Sequence, residues 1–215
     1  MKKIISSILI AIALISVSGC SGNGKTVAAT VGKEKIYVED IEAFIQNVVD
    51  YNEWYRAHGY DDGPYSLYQD IDRESFYKSK LEGKITDSLI SQKCKKLNIN
   101  VSSKEIDELQ KQYEVESPSK LDAAAASVIL QAQRANEEYL KDKGIDEKII
   151  DKTKREEYKR MLLRNKLTAY YENLALENGG DKTSFIYEEF DDYVESLKDE
   201  FQVTVYQPEY YRNDD

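Results

Sequence analysis

Apolar residues recur along this chain with two different periods, and the changes of period mark its elements. Thr26 to Val31 is a short β-prone run. Gly32-Lys33 is turn chemistry, and Lys35 to Val38 returns as a second short strand. The period then changes: Ile41, Phe44, Ile45 and Val48 lie at i, i+3, i+4 and i+7, the stripe of an amphipathic helix. A second helix is predicted from about Asp72 to Leu97, with Leu81, Ile85 and Leu89 on one face, Ile90, Cys94 and Leu97 widening it, and Asn98 ending it. Ser102 and Glu105 fit a capping box for a third helix, striped by Ile106, Leu109 and Tyr113. Ser117-Pro118 opens a fourth, whose face carries Leu121, Ala124, Ala125, Val128, Ala132, Ala135 and Tyr139, stopped at Gly144. Asp146 caps a fifth that runs to Glu177, with Leu163, Leu167, Tyr170 and Leu174 at helical spacing, and Asn178-Gly179-Gly180 ends it. A sixth covers Ser184 to Glu200 through Ile186, Phe190, Val194 and Leu197. "FQVTVYQ" then alternates as a strand.

A lone strand cannot satisfy its backbone. The strands at the two ends are therefore expected to pair in a small sheet. The predicted fold is mainly α, an elongated multi-helix module with that sheet formed by the two chain ends. Its two longest helices, of roughly 24 and 32 residues, span roughly 36 and 48 Å.

One stretch breaks the pattern. "DYNEWYRAHGYDDGPYSLYQD" holds Gly59, Asp61-Asp62-Gly63-Pro64 and six aromatics: Tyr51, Trp54, Tyr55, Tyr60, Tyr65 and Tyr68. It reads as a long aromatic loop with partly exposed rings, short helical turns within it being the open variant. Those six residues are the candidate binding set, because Trp and Tyr dominate binding hot spots. The alternative, that the rings pack onto the helices and close the core, stays open for each of them.

The N-terminus follows a different logic. Lys2 and Lys3 precede an apolar run from Ile4 to Val17, too short and too rich in Ser to span a bilayer, which takes ~20 apolar residues. Small residues follow at once, the layout of a secretory signal. Val17-Ser18-Gly19-Cys20 resembles a bacterial lipobox, which implies acylation of Cys20 as the first residue of the mature chain. The alternative is a simple secreted protein with an incidental Cys. The expected division is a lipoprotein signal peptide at 1–19, a lipidated flexible tether at 20–25, a helical domain at 26–207 and a polar tail at 208–215.

Charge narrows the partners. Thirty basic and 40 acidic side chains give a net charge of −10, and loss of Lys2 and Lys3 with the leader makes it −12. Such a surface repels nucleic acid and anionic headgroups. Membrane contact is expected only through the N-terminal lipid. Cys20 and Cys94 are the two cysteines; with Cys20 acylated, Cys94 has no disulfide partner and reads as a small buried hydrophobe. No Cys/His cluster suits zinc, and no cofactor is expected. Seventeen Tyr against five Phe suits semi-exposed surfaces as well as it suits a biased composition.

Three segments in order resemble the SurA N-terminal-domain family, which includes the PrsA-type foldase lipoproteins. They are "VAATVGKEKIYVEDIEAFI", "LISQKCKKLNINVSSKEIDELQKQYE" and "YLKDKGIDEKIIDKTKREEYKRMLLRNKL". The resemblance covers most of Val27 to Val205. In the first segment Gly32-Lys33 replaces the family's Asn-Gly turn, and the aromatic stretch Tyr51–Tyr68 departs from the family. The resemblance implies a helical module with both ends together that binds unfolded or secreted polypeptide clients. Many members add a parvulin prolyl isomerase domain with a pair of His residues; this chain has one His, His58, and that domain is expected to be absent.

The leading expectation is a membrane-anchored, extracytoplasmic, ATP-independent chaperone or foldase-like module without enzyme activity. The runner-up is a non-catalytic surface lipoprotein scaffolding an envelope or secretion complex. Oligomeric state is open, a homodimer included. No Ser/His/Asp, Cys/His or metal constellation supports an enzyme.

Overall fold

The computed structural model describes residues 25–60, 72–116, 134–177 and 187–206. The leader with Cys20, most of the tether, Tyr65, Tyr68, the start of the fourth helix, Asn178-Gly179-Gly180, Ile186 and the polar tail lie outside these residues. Contacts divide the chain into two compact units. A sheet unit draws on Gly22–Ile41, Tyr77–Ser102 and Lys159–Asp215; an aromatic unit draws on Glu42–Phe76 and Ser103–Tyr158.

In the sheet unit, β1 (Val27–Val31) and β2 (Glu34–Tyr37) form an antiparallel hairpin. The turn between them needs Gly32, whose φ is +58° and where a Cβ would stand 3.1 Å from Oε1 of Gln92. β3 (Val203–Val205) pairs antiparallel with the other edge of β1, Ala29 opposite Val205 and Val31 opposite Val203, giving the order β2-β1-β3. The Gly32 amide donates to the Phe201 carbonyl at 2.7 Å, and the Tyr206 amide to that of Ala28 at 2.8 Å. The two chain ends therefore meet in the sheet, as the alternating patterns require. Central β1 is covered so closely that Ala28, Ala29 and Val31 are fully buried.

Helix α1 (Val38–Ala57) leaves β2 directly. Helix α2 (Arg73–Lys96) follows the stripe, with Tyr77, Leu81, Ile85, Leu89, Ile90 and Cys94 all buried. It also braces the hairpin: Gln92 donates to the Val31 carbonyl at 2.8 Å and the Ser88 hydroxyl donates to Glu34. Asn98, at φ 57°, closes α2; the Asn98 amide returns to Lys95 and that of Ile99 to Cys94, the paired bonds of a Schellman ending. α3 is Ser103–Glu116, α4 covers 134–142, α5 is Glu147–Glu177 and α6 is Tyr187–Glu200. Leu167 of α5 and Phe190, Val194 and Leu197 of α6 complete the sheet unit's core.

The aromatic unit takes Phe44, Ile45 and Val48 from α1, Ile106 from α3 and Ala135, Tyr139 and Leu140 from α4 into its buried set. Phe44 stacks with Phe76 at 6.0 Å, and Tyr113 of α3 with Tyr158 of α5 at 5.7 Å. Asp146 caps α5 as expected, its carboxylate accepting from the Lys148 amide at 2.7 Å.

One expectation needs correction, and one helical stripe is refined. The aromatic stretch does not begin as a loop: α1 continues through Tyr51, Trp54 and Tyr55 to Ala57. Tyr51, Trp54, Tyr55 and His58 extend the i, i+3, i+4, i+7 spacing, so the helix keeps one face and changes only the chemistry on it. On α5, Tyr170 is exposed, and Tyr171 instead packs on Tyr193 of α6 with centroids 3.6 Å apart. A step of four from Leu167 reaches Tyr171, and three more reach Leu174.

Candidate functional site

The aromatic rings of α1 are gathered by two local devices. Helical spacing puts Tyr51, Trp54, Tyr55 and His58 on neighbouring turns. Gly59 then ends the helix at φ +76°; the Gly59 amide donates to the Arg56 carbonyl at 3.1 Å and that of Tyr60 to Tyr55 at 3.2 Å. Only a residue at ease with positive φ makes this Schellman closure without cost. The reversal folds Tyr60 back, its ring 4.9 Å from Tyr55 and 6.0 Å from Trp54 at shallow angles to both.

α4 supplies the other wall. Tyr139 meets Tyr51 edge-on at 5.1 Å and Trp54 at 5.6 Å, the geometry the ring quadrupole favours. Two polar tips are tied down: Trp54 Nε1 donates to Asp142 at 2.8 Å, and the Tyr60 hydroxyl to Glu138 at 2.8 Å. His58 stacks on Trp54 at 4.1 Å, and its Nε2 lies 3.8 Å from Asp142. Lys143 sits 5.5 Å from the Tyr139 ring and 3.9 Å from Asp50.

Burial varies across the cluster. Tyr55 and Tyr139 are buried, Tyr51, Trp54 and Tyr60 are half-buried, and Arg56 and His58 are exposed. Burial pushes the Tyr51 phenol far up and the Tyr139 phenol up to about 12, helped for Tyr139 by the negative field of Asp50. The Tyr60 phenol is raised chiefly because it donates to Glu138. All three hydroxyls are neutral across the physiological range. The product is a platform of neutral rings with carboxylates at its edge. Such a surface suits apolar side chains, and its edge suits cationic ones.

Of the six candidate residues, the structure brings together Tyr51, Trp54, Tyr55 and Tyr60. Tyr55 belongs to the packed interior of the cluster. Tyr65, Tyr68 and the lipidation candidate Cys20 fall outside the described residues. The sequence reading missed Glu138, Tyr139 and Asp142 as members. The available signal was weak: half-buried Trp and Tyr tips need acceptors, and α4 offers carboxylates one turn apart on the face of Tyr139.

Among the described residues, no group of His, Cys, Asp and Glu is placed to hold a metal ion. No helix among them is long and apolar enough to cross a membrane. Residues 1–154 match the family model described as the SurA-like N-terminal domain. No curated protein and no solved structure matches the chain.

Proposed function

We propose, from the premise that the chain belongs to the chaperone-related SurA-like N-terminal-domain family, that it holds unfolded or secreted polypeptides at the outer face of a membrane. The mature chain is a lipoprotein anchored through acylated Cys20, following the Val17-Ser18-Gly19-Cys20 motif. One acyl chain binds a bilayer weakly and two or more bind it stably, at ~0.8 kcal/mol per buried CH₂. Binding needs no ATP and no cofactor, and the chain catalyses nothing; prolyl isomerase chemistry is outside its repertoire.

The observation that carries this reading is the aromatic platform of α1 and α4. Trp54 and Tyr60 are fixed at their tips by Asp142 and Glu138 while their rings remain half-buried. Fixed rings lose little entropy when a client covers them. An apolar client segment gains by burying its surface on the rings, and Glu138, Asp142 and Asp50 favour clients with Lys or Arg nearby. Each contact is small, so release is easy, and micromolar affinity (about −8 kcal/mol) is the expected range.

The test uses the double variant Trp54→Ala with Tyr60→Ala, assayed for suppression of aggregation of an unrelated unfolded protein. The expected outcome is loss of suppression with little change in melting temperature. Trp54→Phe, which keeps a ring but removes the bond to Asp142, should retain most of it. A fall in melting temperature of several degrees, with suppression intact, would show that the rings only close the core. A parent protein that ignores unrelated clients but binds one dedicated envelope partner would instead establish the scaffold.

A further inference from the structure

The sheet unit holds a groove of about 410 Å³ between α2, α5 and α6. For a chain of net charge −10 its lining is a local exception. Lys80 and Lys84 of α2 and Arg160 and Arg164 of α5 face Asp87, Asp191 and Glu195. The three carboxylates are all engaged. Asp191 lies 2.9 Å from Arg164, Asp87 lies 3.8 Å from Arg160, and Glu195 lies 2.8 Å from Lys198.

Lys84 is different. It is half-buried, and among the described residues it makes no hydrogen bond or ion pair. The carboxylates whose fields reach it are Asp40, Asp87 and Glu34. Asp40 is held by Lys25 at 2.6 Å, Asp87 faces Arg160, and Glu34 accepts from the Ser88 hydroxyl. Burial therefore dominates and pulls the Lys84 ammonium below its ordinary pKa. A desolvated cation with no partner among the described residues calls for an anion.

Gly83 also lines the groove. It lies inside α2, where Gly costs about 1 kcal/mol relative to Ala. A Cβ there would meet nothing within 4 Å, so packing does not require the glycine. Its effect is a bare patch of groove wall beside Lys84.

We propose that this groove binds a carboxylate of an acidic polypeptide segment, with Lys84 as the group that receives it. The walls favour an extended chain over a compact anion. Lys80 and Lys84 are one helical turn apart, and so are Arg160 and Arg164, a spacing of about 6 Å along each helix. Side chains on one face of an extended chain repeat at about 6.6 Å. A compact phosphate site would draw its cations to a point. The groove shares no residue with the aromatic platform, and the proposal stands without the holding function.

The experiment measures binding to the whole mature chain by fluorescence anisotropy. The probes are a labelled peptide alternating Glu and Thr, its Gln counterpart, and inorganic phosphate as competitor. The Glu peptide should bind at least tenfold more tightly than the Gln peptide. Lys84→Gln should weaken the Glu peptide about tenfold, roughly 1.4 kcal/mol, and leave the Gln peptide unchanged. Lys84→Arg should restore most of the affinity, Gly83→Trp should abolish it, and Gly83→Ala should preserve it. Trp54→Ala with Tyr60→Ala should not affect it. Equal affinity for the two peptides, or parental affinity in a Lys84→Gln protein that melts like the parent, overturns the proposal. So does loss of the Glu peptide on changing Trp54 and Tyr60. Displacement by inorganic phosphate as readily as by unlabelled peptide overturns the polypeptide assignment.

Discussion

In the sheet unit, Ile85, Leu89, Leu167 and Leu197 are at most 1% exposed, and the central strand has a hydrogen-bonded neighbour on each side. In the aromatic unit, Tyr51, Trp54 and Tyr60 are packed against one another yet remain half in solvent. The contrast follows from side-chain chemistry. An aliphatic side chain is stabilised only by the area it removes from water, about 25 cal/mol per Å². A Tyr or Trp ring gains the same way but keeps a donor at its tip, and a carboxylate at the edge of the cluster satisfies that donor without full burial. The first arrangement closes a core against the sheet. The second makes a surface that stays partly open.

The largest effect that tests this contrast comes from ending the chain after Glu200. β3 is lost, with its ladder to Ala29, Thr30 and Val31 and the bond from Tyr206 to Ala28. The expected loss is on the order of 3–5 kcal/mol, at about 1 kcal/mol per bond plus uncovered apolar area. Circular dichroism should show melting lowered by about 10 °C. Trp54 is the only Trp, so its fluorescence reports on the aromatic unit alone. α1, α2 and α5 give residues to both units, so both signals should shift together. Unchanged melting would break the claim that the sheet unit depends on the paired ends.

How much of this was legible differs between the units for the same reason. The sheet unit is written in Ile, Leu and Val at clean periods of two and 3.6, and its strands, α2 and the meeting of the ends followed from those alone. The aromatic segment was misjudged because Gly59 and Asp61-Asp62-Gly63-Pro64 are strong breakers, and their influence was drawn back as far as Tyr51. The helical spacing of Tyr51, Trp54, Tyr55 and His58 was present but was outweighed. Adjacent Tyr170 and Tyr171 both fit a helical stripe, and only the neighbour Tyr193 decides which one packs inward. The groove around Lys84 was not legible. Charges on a helix face read as solvated until three helices are placed, and which cation then lacks a partner among the described residues depends on distances across the groove.

A middle-sized effect compares one buried acid from each unit. Cys94 is pushed up to about 11 by burial, from an ordinary 9.0, and its thiol donates weakly to the Leu163 carbonyl at 3.6 Å. Its folded pKa is above its unfolded one, so the stability it contributes is fully present below pH 9. That stability is lost as pH rises from about 9 to 11. Cys94→Ala should cost about 1 kcal/mol at neutral pH, for the lost buried atom and the weak bond. It should also flatten the alkaline decline over that window, read as melting temperature against pH. A decline of unchanged slope would mean that the thiol titrates no differently in the folded chain.

The smallest effect has the opposite sign and comes from the aromatic unit. Tyr139 is 1% exposed, and its hydroxyl has no hydrogen-bond partner among the described residues. An unmet buried hydroxyl costs roughly 1–3 kcal/mol, whereas its ring contacts with Tyr51 and Trp54 need no oxygen. Tyr139→Phe should therefore leave the cluster in place and raise stability by up to about 1 kcal/mol, or about 2–4 °C. Ionising the phenol costs the fold more still: with a folded pKa of about 12 against an ordinary 10.0, stability falls progressively as pH rises from 10 to 12. The Phe variant should lack that part of the alkaline decline and keep the earlier part due to Cys94. If Tyr139→Phe instead lowers the melting temperature, the hydroxyl is bound in solution, and the aromatic unit satisfies its polar tips as fully as the sheet unit satisfies its strands.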